Sequence, residues 1–214
     1  MKVEIKRKRI KNIYIRVDTN GIVRVSAPKN TPVFFIEKLL EEKREKIEKA
    51  IERQKRKSID YLNAETIPFL GKEIKVRRIK GEKSAFSFEK DTLTLFLKTN
   101  SQKEHETLIK KWQKEEAKKI ITFFIEKHLP AVGKRVNRVS FKEMKTRWGS
   151  CNSKKGYLNF NIKLITLPPI CVEYVVVHEL VHLIHPNHGK KFYNRVEKIF
   201  PQMKQARKVL KEHT

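Results

Sequence analysis

One short apolar segment near the C-terminal end of the chain places two histidines and a glutamate where few folds would tolerate them. His178, Glu179 and His182 stand within a run of valines, leucines and isoleucine of the kind that forms a buried helix. Residues four apart lie on the same face of an α-helix, so the two histidine side chains point in one direction. Two imidazoles at this spacing can bind one zinc ion, with Glu179 beside it to accept a proton from a bound water. A pair of core histidines is the competing interpretation, and it is disfavoured because burying three polar groups without a purpose is costly.

A third metal ligand can be argued from the residues that follow this motif. His185 lies seven positions after His178, about 10 Å along a helix axis, which is too far to bind the same tetrahedral ion. Pro186 disfavours helical geometry at the residue before it and ends the helix, so the turn beyond it can bring His188 back to the open side of the metal. The predicted ligands are therefore His178, His182 and His188, with water in the fourth position. His185 is predicted to support the site or to lie at the surface.

The residues around this motif resemble those of a known family. The metal motif, followed by Gly-Lys-Lys-Phe-Tyr at 189–193, is similar to that of the YgjP-like zinc metallopeptidases, which are related to the SprT-like proteins. The family also carries an Arg-Trp-Gly-Ser-Cys signature, found here at 147–151. Gly189 and Tyr193 depart from the residues expected at their positions, but neither is a proposed ligand. The resemblance covers most of the chain and implies a zincin-like fold, a catalytic zinc ion and hydrolysis of peptide bonds.

The motif and the resemblance together predict a zinc-dependent metallohydrolase, most simply a metallopeptidase. Zinc held by three neutral histidines lowers the pKa of its water to roughly 7. Glu179, which is not itself a ligand, is predicted to accept the proton of that water and to pass it to the leaving group. Arg147 is a candidate for stabilising an oxyanion or for holding a substrate phosphate or carboxylate, and a structural ion pair is an equally good interpretation of this residue.

Two other functions remain open. A metal-dependent nucleoside triphosphate (UTP) pyrophosphatase activity has been attributed to YgjP-like proteins, and a basic surface would suit a triphosphate. The chain, however, has only three aspartates and no Gly-rich phosphate loop. The second alternative is a DNA-associated basic protein with a structural zinc ion, but a closed structural site has no need of Glu179.

The charge of the chain predicts its partners. Fifty Lys and Arg against 24 Asp and Glu give a formal net charge of +26. This predicts attraction to polyanions such as nucleic acid or nucleotides, although a generally lysine-rich composition would give the same number. No apolar run reaches the roughly 18 residues of a membrane span, and the N-terminus lacks a signal-peptide pattern. Two cysteines, Cys151 and Cys171, suit a reducing compartment, so a cytoplasmic protein is predicted.

The pattern along the chain predicts an α+β fold. A basic, β-rich N-terminal region with a long helix is followed by a zincin-like catalytic part, made of a small sheet, the active-site helix and a C-terminal helix. The predicted domains are residues 1–100 and 101–214, with one continuous globule as the alternative. Residues 2–28 alternate apolar and basic residues around a turn at 18–21, which predicts a hairpin. Its basic residues either bind phosphate or form a solvated sheet face.

The remaining elements follow from the same periodicities. Residues 157–161 are predicted to form a sheet edge along the substrate groove, where an extended peptide can pair by main-chain hydrogen bonds. The last helix is predicted to pack behind the metal helix. The other predicted elements are helices over 31–57, 101–129 and 190–213, strands between 66 and 98, and a strand at 139–141.

Overall fold

The computed structural model describes residues 2–18, 21–57 and 61–213, without the side chains of 53–57. Over these residues the chain forms three small sheets and six α-helices, so the predicted α+β class is confirmed. Contacts within the chain divide it into two compact units, Met1–Asp60 and Tyr61–Thr214. The division into domains after residue 100 stays a prediction.

The N-terminal unit contains a three-stranded sheet and two helices. Strands β2 and β3 form the predicted antiparallel hairpin, and β1 joins the other side of β3 in parallel. Inward-facing residues of β3 form a small core with α1 and α2. The elements are β1 (Val3–Lys8), β2 (Tyr14–Val17), β3 (Val23–Pro28), α1 (Val33–Glu42) and α2 (Arg44–Lys57).

Asp18 organises the turn of the hairpin. The main-chain N–H of Gly21 donates to the carbonyl of Asp18 at 3.0 Å, and that of Ile22 donates to the Asp18 carboxylate at 2.9 Å. Gly21 has a φ of 74°, a left-handed conformation that glycine adopts without strain. The other two residues of the predicted turn, Thr19 and Asn20, lie outside the described residues.

The helix predicted over residues 31–57 is two helices, so that prediction was wrong in its middle. Lys43 separates α1 from α2. Helix α1 buries Ile36 and Leu40 against the sheet. One turn after Leu40 the sequence has Lys43 and Arg44, so no apolar side chain holds a single straight helix against the core at that point.

The second unit contains two further sheets and the remaining helices. One sheet has the strand order β4-β5-β7-β6, and the other has the order β8-β10-β9. The long helix α3 runs past both and confirms the helix predicted over 101–129. The elements are β4 (Thr66–Phe69), β5 (Lys72–Lys80), β6 (Ala85–Glu89), β7 (Thr92–Leu97), α3 (Gln102–Val132), β8 (Arg138–Lys142), β9 (Gly149–Asn152), β10 (Tyr157–Asn161), a 3-10 helix (Ile162–Thr166), α4 (Pro169–Val181), α5 (Lys190–Ile199) and α6 (Met203–Glu212).

The C-terminal helix predicted over 190–213 is also two helices. Helix α5 ends before Phe200, which has the extended conformation φ −134°, ψ 84°. Pro201 explains the break, because a proline disfavours helical geometry in the residue before it and has no N–H to continue the helix. Both α5 and α6 contact α4, which agrees with the predicted packing behind the metal helix.

The position of the strand over residues 157–161 differs from the prediction. Strand β10 pairs in parallel with β8 and antiparallel with β9, so it lies in the centre of its sheet and not at an edge. Leu158 and Phe160 on this strand are fully buried, as suits a central position. The edge strand on this side is β9, at a position where no strand was predicted.

Helix α4 is buried on nearly all sides by the core of the second unit. Its valines at 175, 176, 177 and 181 are at most 5% exposed. The helix is therefore held in place by apolar packing, and its last turn carries the polar residues of the motif. None of the helices in the described part of the chain combines the length and apolar character that a membrane crossing requires.

Candidate metal centre and active site

The last turn of α4 and the loop after it bring three histidines together. His178 lies on the helix and His182 directly follows it, while the turn after Pro186 returns His188 to the same place. One nitrogen of each imidazole lies within 4.8 Å of those of the other two. The Nε2 atoms of His178 and His188 are 3.0 Å apart. Two nitrogens on one tetrahedral zinc ion lie about 3.3 Å apart, so this donor set fits such an ion.

The protonation of the histidines also suits a metal. Burial is the main cause that lowers the pKa of His178 to about 3, and the neighbouring His182 and His188 lower it further. Burial likewise lowers the pKa of His182. Both imidazoles are therefore neutral at neutral pH, which is the form that binds metal ions.

Hydrogen bonds orient the two histidines of the motif. The Nδ1 of His182 lies 3.1 Å from the carbonyl oxygen of His185 and donates to it, which leaves Nε2 free to face the cluster. The hydroxyl of Tyr174 lies 3.5 Å from the Nδ1 of His178, where it can accept a long hydrogen bond from an Nδ1–H and leave Nε2 free to bind a metal. In both histidines the Nδ1 atom, which points away from the cluster, has a hydrogen-bond partner.

Side chains of α5 pack against the three histidines, and α6 contributes one further contact. Phe192 is fully buried, and its ring centroid lies between 4.6 and 4.8 Å from those of all three imidazoles. Tyr193 stacks on His188 with ring centroids 6.1 Å apart, and Arg207 lies over the tyrosine ring at 5.1 Å. These aromatic contacts fix the position of the third histidine although it is itself exposed.

Glu179 is a buried carboxyl beside the cluster. It is 6% exposed, and burial raises its pKa to about 8, opposed by the charge of Arg147. Strand β9 passes close to this carboxyl. A Cβ atom added to Gly149 would stand 2.7 Å from the Glu179 Oε1. Glycine is needed at position 149 for lack of space, and not for its backbone conformation.

A cavity of about 350 Å³ opens onto these groups. The three histidines, the Glu179 carboxyl and residues of β9 all line this cavity. Its lining residues are Arg147, Gly149, Ser150, Cys151, Ser153, His178, Glu179, His182, Pro186 and His188.

The structure brings together most of the residues singled out from the sequence. His178, His182 and His188 form one cluster, and His185 contributes to it only its backbone carbonyl. Within the described ranges, no second group of three His, Cys, Asp or Glu side chains is placed to hold a metal. Arg147 lines the same cavity as Glu179, and its catalytic role stays a prediction.

Three residues of this site were not recognised from the sequence. Tyr174 precedes His178 by four positions, so helical spacing carried a signal for it. Phe192 was expected only to pack behind the metal helix, and nothing in the sequence indicates that it contacts all three histidines. Gly149 belongs to the Arg-Trp-Gly-Ser-Cys signature, but its approach to Glu179 depends on how β9 crosses α4.

Comparisons with known proteins agree with this picture at the level of the family. A family model described as YgjP-like, metallopeptidase domain, matches residues 11–213. No curated protein gives a significant match.

Two solved structures show limited similarity. The metallopeptidase zymogen of Pyrococcus abyssi abylysin is 22% identical over 42% of this chain and 87% of its own, with a TM-score of 0.37. The metallopeptidase zymogen of Methanocaldococcus jannaschii jannalysin is 21% identical over 46% of this chain and 97% of its own, with a TM-score of 0.38.

Proposed function

The chain belongs to the YgjP-like metallopeptidase domain family, and from this premise we propose that it is a zinc-dependent metallopeptidase. One observation carries the proposal. Three imidazole nitrogens lie within 4.8 Å of one another beside a buried carboxyl, in a cavity that is open to substrate. A closed structural zinc site would instead have a fourth protein ligand and no use for an adjacent carboxyl.

His178, His182 and His188 would hold the zinc ion. Three protein ligands leave a fourth position for water or substrate, as in catalytic zinc sites. A zinc ion bound there supplies a Lewis acid, lowers the pKa of a water to roughly 7 and favours the ionised form of a nearby carboxyl.

Glu179 acts as the general base. Its carboxylate accepts the proton of the attacking water and then donates it to the nitrogen of the leaving peptide. Arg147 places a positive charge in the same cavity, where it stabilises the negative charge that develops on the attacked carbonyl oxygen.

Strand β9 binds the substrate chain. It is an edge strand, and three of its residues line the cavity, namely Gly149, Ser150 and Cys151. An extended peptide can add to such an edge by main-chain hydrogen bonds, which select backbone shape over side-chain identity. The substrate is therefore an extended or unfolded segment of a protein.

The test compares the zinc-loaded wild type with Glu179→Gln. Each is incubated with an unfolded protein, with UTP and with a DNA-bound protein, and bound zinc is measured in parallel. We expect the wild type to cleave the unfolded protein, and Glu179→Gln to be slower by about a hundredfold or more at unchanged zinc content. Glu126→Gln, a change of an exposed glutamate on α3, serves as the matched control and should keep full activity.

The other outcomes decide between functions. Hydrolysis of UTP alone, lost in Glu179→Gln, would replace the peptidase by the nucleoside triphosphate pyrophosphatase. Full zinc content without turnover of any substrate would favour a binding protein with a structural metal. Full peptidase activity in Glu179→Gln would show that this residue is not the base.

A further inference from the structure

The charges of the N-terminal strands are mostly of one sign. Residues 2–30 contain nine Lys or Arg but only two acidic residues, whereas residues 41–50 contain four of each. A generally lysine-rich composition would raise the basic content of both segments without separating the signs of charge. The strands therefore carry an excess of positive charge that the segment at 41–50 lacks.

Strand pairing places much of this charge on one face of the sheet. Arg24, Ser26 and Pro28 alternate along β3 with the buried Val23, Val25 and Ala27, so they face away from the core. Lys6 on β1 and Tyr14 on β2 both lie opposite Ser26, and Arg16 lies opposite Arg24. Lys8 lies opposite Pro28. The outer face of the sheet, defined by Lys6, Lys8, Tyr14 and Arg16, is thus basic with one aromatic ring.

Little of this charge is neutralised within the protein. Glu4 and Asp18, the two acidic residues of the segment, both pair with Arg24, at 3.7 and 2.9 Å. Among the residues that the structure describes, Lys6, Lys8 and Arg16 form no ion pair with a carboxylate. On α1 and α2, by contrast, acidic and basic side chains pair along the helix surface, as Arg44 does with Glu41 and Glu48. The outer face is therefore available to an external polyanion.

Tyr14 indicates which polyanion fits. It is 49% exposed in a row with Ser26 and Lys6, so its ring is available among cationic side chains. Proteins that bind single-stranded nucleic acid combine basic residues along the phosphates with exposed aromatic rings on which bases stack. A duplex would not offer an unstacked base to this ring.

A groove continues this face at one end. It has a volume of about 380 Å³ and lies where β1 and β3 end, beside Lys8 and Pro28. Arg9, Lys11 and Lys29 also line it, so it extends the positive surface along the path of a strand of phosphates. An anionic membrane fits less well, because the exposed Phe34 and Phe35 lie on α1, in the helix layer and not on the outer face.

We propose that the outer face of the N-terminal sheet binds single-stranded nucleic acid through phosphate contacts and one stacked base. This function is additional to peptide hydrolysis and does not depend on it. The surface belongs to the N-terminal unit alone and requires no residue of the metal centre.

The test uses the full chain and fluorescence anisotropy with a labelled oligothymidylate and a labelled oligouridylate over a range of salt concentrations. The triple variant Lys6→Gln/Lys8→Gln/Arg16→Gln is compared with Lys114→Gln/Lys118→Gln/Lys134→Gln, which changes the net charge equally at exposed positions of the second unit. The first variant should bind more weakly and lose about 2 from the slope of log K against log salt, since each phosphate contact on a single strand contributes roughly 0.7. The second should match the wild type. Equal zinc content and circular dichroism establish that both are folded.

Tyr14 tests the stacking contact independently. Tyr14→Ala should weaken binding of both oligonucleotides by about tenfold, while Tyr14→Phe should restore it. Duplex DNA and vesicles containing phosphatidylserine are the competing ligands. The proposal would be overturned if both triple variants lost the same amount of oligonucleotide affinity. It would also be overturned if the variant at positions 6, 8 and 16 lost vesicle binding but bound oligonucleotides as the wild type does. A duplex bound as tightly as the single strands, with no effect of Tyr14→Ala, would overturn it as well.

Discussion

Gly149 and Glu179 are in such close contact that the backbone of strand β9 forms the wall of the pocket around the carboxyl. The nearest distance from an added Cβ at position 149 to Glu179 would be 2.7 Å, shorter than real Cβ contacts. Two parts of the chain separated by thirty residues are thereby fixed in one geometry, and the wall strand is the same one that we propose binds the substrate.

The first prediction follows from this contact. In Gly149→Ala the new methyl group must displace Glu179 or β9, and a shift of about 1 Å in a catalytic group can reduce turnover by about a hundredfold. Zinc content should not change, because no ligand moves. Gly189→Ala is the matched control, since its Cβ would meet nothing within 4 Å and its φ is −83°. Peptidase assays and metal analysis of both variants check this, and equal activity of the two would contradict it.

A second prediction concerns the choice of the third ligand. His188→Ala removes one of three clustered nitrogens and should lose most of the bound zinc, while His185→Ala should keep it, because only its backbone carbonyl contacts the site. A chelator should lower the melting temperature of the wild type and of His185→Ala, since a metal that binds only the native state stabilises it. It should have little effect on His188→Ala. Retention of zinc by His188→Ala and its loss from His185→Ala would refute the ligand assignment.

Tyr174 provides a third prediction. Its hydroxyl lies 3.5 Å from His178 Nδ1 and, by accepting a hydrogen bond from that nitrogen, would stabilise the tautomer whose Nε2 is free to bind the metal. Tyr174→Phe keeps the ring and removes only this partner, so zinc affinity should fall by about tenfold, as is common for residues that orient a metal ligand. Competition with a coloured zinc chelator measures the affinity. Tyr157→Phe on β10 should leave it unchanged, and an equal affinity in all three proteins would exclude the orienting role.

A fourth prediction concerns pH and the start of the long helix α3. Hydrogen bonds from Ser84 and then Thr99, together with the main-chain N–H groups of Lys98 and Thr99, lower the pKa of Glu104 to about 2 from 4.5. Because the folded-state pKa is the lower one, the stabilisation is complete above the unfolded value and is lost as pH falls through 4.5 towards 2. The difference in free energy of unfolding between the wild type and Glu104→Gln should therefore be constant near neutral pH and shrink in acid.

Urea unfolding at several pH values measures this difference. Glu82→Gln, a change of an exposed glutamate in the loop before Ser84, is the control and should lack the same pH dependence. A difference between the wild type and Glu104→Gln that stays constant down to pH 2 would contradict the prediction.

The cluster of histidines could be predicted from the sequence because it is local. His178, His182 and His188 lie within eleven residues, so helical spacing and one proline determine their geometry. The break between α5 and α6 has an equally local cause, because Pro201 disfavours helical geometry at Phe200. Apolar residues recur at helical spacing on both sides of this proline, which is why periodicity alone predicts one helix.

The edge of the catalytic sheet could not be predicted in the same way. Strand β9 consists of Gly-Ser-Cys-Asn, which has no alternation of apolar and polar residues. It becomes a strand because it pairs with β10, and β10 becomes central because β8 takes its other side. These pairings join distant segments and leave no local signal. The same holds for the contact between Gly149 and Glu179.

The uneven support of the three histidines has a consequence for how a metal is exchanged. Two of them are anchored at the end of a helix that is buried on nearly all sides, while His188 lies on an exposed turn between Pro186 and α5. Withdrawal of that turn alone would open the coordination sphere while α4 stays folded. We therefore expect a bound metal to leave through a local movement of this turn, at a rate that does not follow the barrier to global unfolding.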